Sequence, residues 1–500
     1  MRAPTTRLFS TPGRLTAILT LIGALALSAQ AQDAGALLSV RAPASTISLP
    51  DTAPGDILGY SVAASGDRVV LGAAADDAAG EDSGAAYVVR RSGAGWETEA
   101  KLIPSRAVAS DFFGAAVAID GDRAIVGALG HDARRGGASV FVRTADGWAE
   151  EAALVITGPA ADDGGVSVAI EGDRAVVGAA HRNGERGIVR IYARADGAWA
   201  LEAELALPDG EPGDRFGRSI ALQGDRLAVG AFGRNDSQGA VYVYDRQDGT
   251  WTTSATLTAP AGGRARMGVS VALDGDAVLA GAPFDAERGT ESGAAYLFDL
   301  SRAERQKIMA PGGAEGDLFG WSVSLRDGRA LVGARQTDAS SSNGGGAFLF
   351  LQGDSGWLVE SVLLGGTTQN ANAGLSVALA DDLALVGAPY QDASRGTVLA
   401  FSVAGATSAE PVADGALSLT VAPNPAVSRA EVLVELAEAA DVRAEVYDAL
   451  GRRVSVLADG ARAAGPHRLP VGTAGLAPGV YVVRVVAGAQ ASATRFTVAR

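Results

Sequence analysis

The sequence has no cysteine among its 500 residues, so disulfides and thiolate metal sites are excluded and closure of the fold must come from packing. Lysine is confined to Lys101 and Lys307, and histidine to His131, His181 and His467. Positive charge is therefore nearly all arginine, and it is outnumbered: 42 basic against 57 acidic residues leave a formal net charge of −15. So acidic a chain lacks the basic face that phosphate backbones require and is repelled by anionic bilayers, which argues against nucleic-acid and membrane-surface partners. Past the first residues, no apolar run is long enough to cross a membrane.

What the chain has in abundance is repetition. Asp214–Ala231, DRFGRSIALQGDRLAVGA, is the unit. A small-residue strand enters a tight turn at Gln223-Gly224-Asp225, and an apolar strand leaves it and ends on Gly230-Ala231. Glycine between apolar runs is a hairpin signal, because it takes positive φ without steric cost. The unit recurs seven times. Its first glycine falls at Gly59, Gly114, Gly165, Gly217, Gly268, Gly320 and Gly374, spaced 51 to 55 residues apart. A Gly-Ala pair follows at Gly72, Gly127, Gly178, Gly230, Gly281, Gly333 and Gly387. Each copy offers four strands; in the fourth they are Arg218–Leu222, Leu227–Ala231, Ala240–Asp245 and Trp251–Leu257. Repeats of this length with several short strands build propellers or solenoids. Trp96, Trp148, Trp199, Trp251 and Trp357 open outer strands, where an aromatic is expected to fill the gap between neighbouring repeats.

The two ends differ from the repeats. Arg2, Arg7 and Arg14, the apolar run Leu15–Leu27 and Ser28-Ala29-Gln30-Ala31 read as a signal peptide over 1–31, cleaved between Ala31 and Gln32. The run is short of the roughly 20 residues that a membrane anchor needs. The seventh copy ends after Thr397–Val403 without an outer strand, whereas Thr46–Asp56 (TISLPDTAPGD) matches Glu204–Asp214 (ELALPDGEPGD), which leads into the fourth copy. The expectation is an all-β, seven-bladed ring over 32–404 whose N-terminal strand completes the last blade, placing Ile47–Leu49 beside Thr397–Phe401. An open solenoid is the alternative, and it would leave bare sheet edges. A linker over 405–416 leads to seven short alternating runs in 417–500, which read as a small Ig-like β-sandwich.

Asp317-Leu318-Phe319-Gly320, Asp214-Arg215-Phe216-Gly217 and Phe113-Gly114, with Gly281-Ala282-Pro283 and Gly387-Ala388-Pro389, resemble FG-GAP repeats. Those repeats build the seven-bladed propeller of integrin α-subunits and many bacterial surface proteins. Phe is replaced by Leu58, Gly164, Met267 and Ala373 in the other copies. A looser similarity to kelch repeats would leave the architecture unchanged. Pro423-Asn424-Pro425-Ala426, Val446–Arg452, Leu476–Tyr481 and Phe496-Thr497-Val498 resemble the type A C-terminal sorting domain of the type IX secretion system. That resemblance implies recognition by the secretion machinery at the outer membrane of a Gram-negative bacterium, removal of the tail, and a propeller released or held at the cell surface.

Calcium is the cofactor that the FG-GAP resemblance raises, and no cofactor is expected. The hairpins where integrin repeats carry calcium are cut here to tight turns such as Asp120-Gly121-Asp122 and Asp274-Gly275-Asp276, too short to supply six oxygens. Their acids read as local turn chemistry. The loop after each Gly-Ala pair repeats Asp77, Asp132, Asn183, Asn235, Asp338 and Asp392, with Asp285 one position earlier. These are either turn formers or a polar binding rim. The residues that vary give a mixed candidate rim for an extracellular protein or glycan: His131, Asp132, Arg134, His181, Arg182, Arg234, Asp285, Arg335, Tyr390 and Asp392. No catalytic set stands out, because His131 and His181 have no evident third member. The expected function is a monomeric, non-catalytic binding or adhesion propeller. The alternatives are a carbohydrate-active enzyme, which His131→Ala with His181→Ala would inactivate, and a surface-coat protein, which would self-assemble without ligand.

Overall fold

In the second strand of each repeat every residue after the first is apolar or small, a pattern suited to burial on both faces. The computed structural model buries those strands completely beyond their first residue, as in Arg68–Ala73, Arg123–Ala128 and Arg226–Ala231. It describes residues 39–403 and 418–498, apart from 94, 131–135, 156–164, 166, 261–262, 303, 339–340, 354–355, 366–367, 423–425, 427–428, 437, 449–452, 474, 477–478 and 489. The signal-peptide and linker segments of the sequence reading lie outside the described residues, as do His131, Asp132 and Arg134.

The protein is all-β and, among the described residues, built mostly of four-stranded antiparallel sheets. The fourth repeat gives Phe216–Gln223, Arg226–Ala231, Ala240–Gln247 and Thr250–Thr258, paired in chain order. The sheet ending at Thr397–Ser402 takes its outer strand from the N-terminal side, with Ser45–Ile47 antiparallel to it and Ile47 opposite Val398. The sequence does not anticipate Ser39–Arg41, which adds parallel to Gly356–Leu364 as a fifth strand of the preceding sheet. Arg41 fixes it there by pairing with Glu360 and donating to the Ser402 carbonyl. The first strand of each sheet touches that of the next, and Ser376–Leu379 of the last touches Leu58–Ser65 of the first.

A serine two residues after the first glycine makes this contact specific. Ser61, Ser167, Ser219, Ser270 and Ser322 each donate to the carbonyl of the next repeat's first glycine, at 2.7 to 3.1 Å. Ser376 donates to Gly59, from the last repeat back to the first, at 2.7 Å. On the side of the tight turns, the acids prove to be more than local turn formers, which corrects the sequence reading. Asp120 accepts from the Gly172 amide of the next repeat at 2.8 Å, and Asp274 from Asp327 at 2.7 Å. The third turn residue takes the arginine of the repeat before it: Arg123–Asp173 at 3.6 Å, Arg174–Asp225 at 3.4 Å, Arg226–Asp276 at 2.7 Å. Side-chain reach from one tight turn to the next explains this, since adjacent hairpins stand side by side.

The outer tryptophans bridge as expected, Trp148 donating to Glu99 and Trp199 to Glu151 of the preceding repeat. The hydrogen bond from Arg68 holds the Glu99 carboxyl below its ordinary value of 4.5, and Arg226 does the same to Asp245. A depressed carboxyl contributes stability that is complete above its unfolded pKa and lost as the pH falls through the folded one. The melting temperature should therefore stay level from neutral to about pH 5 and fall steadily below it. A melting temperature unchanged at about pH 3 would show that the latches contribute nothing.

The C-terminal segment forms seven strands in two sheets, one of Ser418–Ala422, Arg429–Leu436 and Gly465–Gly472 and one of four strands centred on Ala440–Asp448 and Gly479–Ala487. Alternation in Arg429–Leu436 sends Val432 and Val434 inward, where they share a core with Val446, Val483 and Phe496. Arg453–Arg462 runs five residues beyond the expected end at Leu457.

Candidate functional site

The loops after the Gly-Ala pairs carried most of the candidate residues, and the structure sorts these by what they touch. Asn183, Asn235 and Asp392 occupy left-handed backbone at φ of 55 to 56°, inside the short turns Arg182–Glu185, Arg234–Ser237 and Gln391–Ser394. Asp and Asn tolerate that region because their side chains bond locally. Asp77 accepts from the Asp82 amide at 2.8 Å, and Asp338 from Asn343 at 2.7 Å. The repeated Asp/Asn position is thus used for turns.

Asp285 leaves the rim altogether. It is buried, accepts from the Tyr296 hydroxyl at 2.9 Å and pairs with Lys307 at 2.8 Å. Burial, with the neighbouring Asp285 charge, pushes the Tyr296 hydroxyl up to about 12. The first repeat has the same group: Asp76 accepts from Tyr87 at 2.7 Å and pairs with Lys101 at 3.0 Å. Both lysines of the chain are consumed in this way. Arg234 is also structural, bonding Asp214 at 2.8 Å and the Asp209 carbonyl at 2.9 Å, and so tying down the loop that enters its own repeat. His181 precedes the Arg182–Glu185 turn and is half-buried.

Arg335 and Tyr390 are brought together, and with residues that the sequence reading passed over. The Arg335 guanidinium stacks on Trp321, 3.8 Å from the ring centroid. Trp321 lies 6.4 Å from Phe284, and Arg266 covers Phe284 at 4.3 Å and reaches Phe232 at 5.9 Å. Arg215 stacks on the same Phe232 at 5.4 Å and is paired with Glu185 at 3.1 Å. The result is one arc of alternating cations and rings across the fourth to sixth repeats. Such stacking contributes about 0.5 to 2 kcal/mol per pair. Tyr60, Arg218 and Trp321 each follow the first glycine of their repeat, on the strands where successive sheets meet. The Tyr60 hydroxyl lies in electrostatic reach of Arg218, Arg335 and Tyr390, and the Glu291 carboxylate in that of Arg335, so these side chains of different repeats act on one another across the converging face of the first strands.

Among the described residues no carboxylate lies within ion-pair distance of Arg218, Arg266 or Arg335, and the Arg335 Nε is buried without a hydrogen-bond partner. Desolvation holds the Arg218 and Arg335 guanidinia below their ordinary range. Among the described residues, no group of three His, Asp or Glu side chains is placed to hold a metal ion.

The sheets and their contacts define a β-propeller protein. It carries FG-GAP repeats, matched at residues 44–89, 96–141, 199–244, 251–298 and 303–350. The match at 44–89 starts on the Ser45–Ile47 strand, and the one at 199–244 starts on an outer-strand tryptophan, so a sequence repeat is offset from a sheet by one strand. No curated protein sequence matches the chain. Among solved structures it is similar to a protein from Lactobacillus plantarum, a structural-genomics target, at 16% identity and TM-score 0.42 over 62% of this chain and 86% of that one. It is also similar to Sqt1 from Chaetomium thermophilum, at 14% identity and TM-score 0.44 over 72% of this chain and 100% of that one.

Proposed function

We propose that the chain is an exported, non-catalytic binding or adhesion protein. It is a seven-bladed propeller closed by its N-terminal strand, followed by an Ig-like sorting domain that the type IX secretion machinery reads. Closure is supported by three contacts from the last repeat to the first: the Ile47–Val398 pairing, the Ser376–Gly59 hydrogen bond and the Leu58–Gly396 bridge. Export is supported by the N-terminal pattern ending at Ala31 and by the ordered C-terminal motifs. The observation that carries binding is the arginine–aromatic arc, in which Arg266 and Arg335 stack on rings with no carboxylate in ion-pair distance among the described residues. A catalytic reading has less to draw on, because many of the acids that the sequence supplies are engaged in turns and inter-repeat latches.

Two measurements test this reading. In a host with the type IX system, the full chain should reach the cell surface or medium with Gln32 as its first residue, and a chain lacking 417–500 should stay in the periplasm. Surface delivery of the truncated chain would overturn the sorting role. Immobilised full chain should retain ligands from extracellular glycan and protein arrays equally with and without EDTA. An empty array, or retention lost with EDTA, would overturn the binding reading or its independence of metal.

A further inference from the structure

We propose that the converging face takes the acidic end group of an oligosaccharide, with the carboxylate of a sugar acid received by Arg218, Arg266 and Arg335 beside Tyr60. This rests on the reading of the chain as a binding propeller and names the ligand class of that site.

The argument starts from charge. In a chain with a net charge of −15, three half-buried arginines with no carboxylate in ion-pair distance among the described residues are a reserve of positive potential. Other arginines are engaged by the fold, Arg68, Arg123, Arg174 and Arg226 by acids of their own sheets and Arg186, Arg288, Arg305 and Arg329 by backbone carbonyls. Burial disfavours an isolated guanidinium charge at Arg218 and Arg335, and a bound anion would offset that cost. A planar guanidinium matches a carboxylate in a two-pronged geometry that a neutral ligand cannot use.

The surroundings narrow the class. Phe232, Phe284, Trp321 and Tyr60 are half-buried and Tyr390 exposed, giving apolar ring surface and two hydroxyls beside the cations. The C–H faces of a pyranose pack on such rings, and its hydroxyls bond to Tyr oxygens. Beside Arg335, within electrostatic reach, stands the exposed carboxylate of Glu291. That carboxylate and the net charge of −15 disfavour an extended polyanion, whether nucleic acid or a strongly acidic peptide, and leave room for a ligand with one charge at its tip.

The test uses the full chain with three soluble probes. They are a trisaccharide ending in glucuronic acid, one ending in sialic acid, and the glucuronic trisaccharide with its carboxyl reduced to the alcohol. Calorimetry should show at least one acidic probe binding at least tenfold more tightly than the reduced one. R218Q and R335Q should each weaken that binding about tenfold, which is about 1.4 kcal/mol, whereas R302Q, on an exposed turn, should leave it unchanged. R218Q should melt with the parent and R335Q, which gives up its stack on Trp321, only slightly below it, both as folded chains, which separates loss of the site from loss of structure. Equal binding of the acidic and reduced probes, or full binding by R218Q and R335Q, would overturn the anion site while leaving the binding propeller intact. Binding of neither acidic probe by a chain that retains other array ligands would overturn the sugar-acid assignment alone. A preference for a poly-glutamate peptide would overturn it in favour of a protein partner.

Discussion

A chain from which residues 39–49 have been deleted will melt on the order of 10 °C below the parent and will self-associate. Ser45–Ile47 supplies the outer strand of the sheet that ends at Thr397–Ser402, and Ile47 and Leu49 are buried in the core shared by the last and first repeats. Burying two such side chains contributes roughly 1.5 to 3 kcal/mol each. Their loss takes a large part of the 5 to 15 kcal/mol that keeps a typical domain folded. The deletion also bares the ladder groups of Thr397–Ser402, a template for a second chain. Differential scanning calorimetry and size-exclusion chromatography check both effects. A deleted chain that melts with the parent and elutes as a monomer would show that the N-terminal strand closes nothing.

Gly320→Ala should be nearly as damaging, for a different reason. Gly320 stands at φ +90°, where side chains are strained, and a Cβ there would lie 2.2 Å from the Ala294 carbonyl oxygen and 3.0 Å from the Ala282 amide nitrogen. Both are backbone atoms of the previous repeat and cannot step aside. Strain of roughly 1 to 3 kcal/mol from the dihedral adds to the cost of shifting a packed sheet, for a loss of about 4 kcal/mol or more. Gly224→Ala is the control. It has φ +57° but nothing within 4 Å of the added carbon, so it should cost only about 1 kcal/mol. Equal losses in urea titrations of the two variants would show that dihedral strain alone sets the requirement, and that the close approach of neighbouring repeats does not.

The architecture was legible because its determinants are periodic. Glycines recur where backbone meets backbone, and the apolar second strand recurs where both faces are covered, so seven weak signals reinforce one another. Even the strand exchange between the chain's ends could be read, since Thr46–Asp56 and Glu204–Asp214 share a pattern. The Ser39–Arg41 strand could not, because three residues paired along one edge leave no periodic trace. The site was harder for the opposite reason. Attention to the loops after Gly-Ala found Arg335 and Tyr390, but also admitted Arg234 and Asp285, whose partners at Asp214 and Lys307 are distant in sequence. The position after the first glycine carried the missing signal. There Tyr60, Ala115, Val166, Arg218, Val269, Trp321 and Leu375 differ from copy to copy between positions that hardly change. Variation inside an otherwise repeated frame marks the residues that the frame does not need.

The offset between the sequence repeat and the sheet has a kinetic consequence. Each matched repeat lends strands to two sheets, and the sheet that ends at Thr397–Ser402 draws on residues some 350 positions apart, since Thr397 donates to the Ile47 carbonyl. A contact of that span forms late, after the intervening hairpins have collapsed locally. Ser45–Ile47 is therefore synthesised long before its partner strand Thr397–Ser402, and waits for it while the sheets between them form.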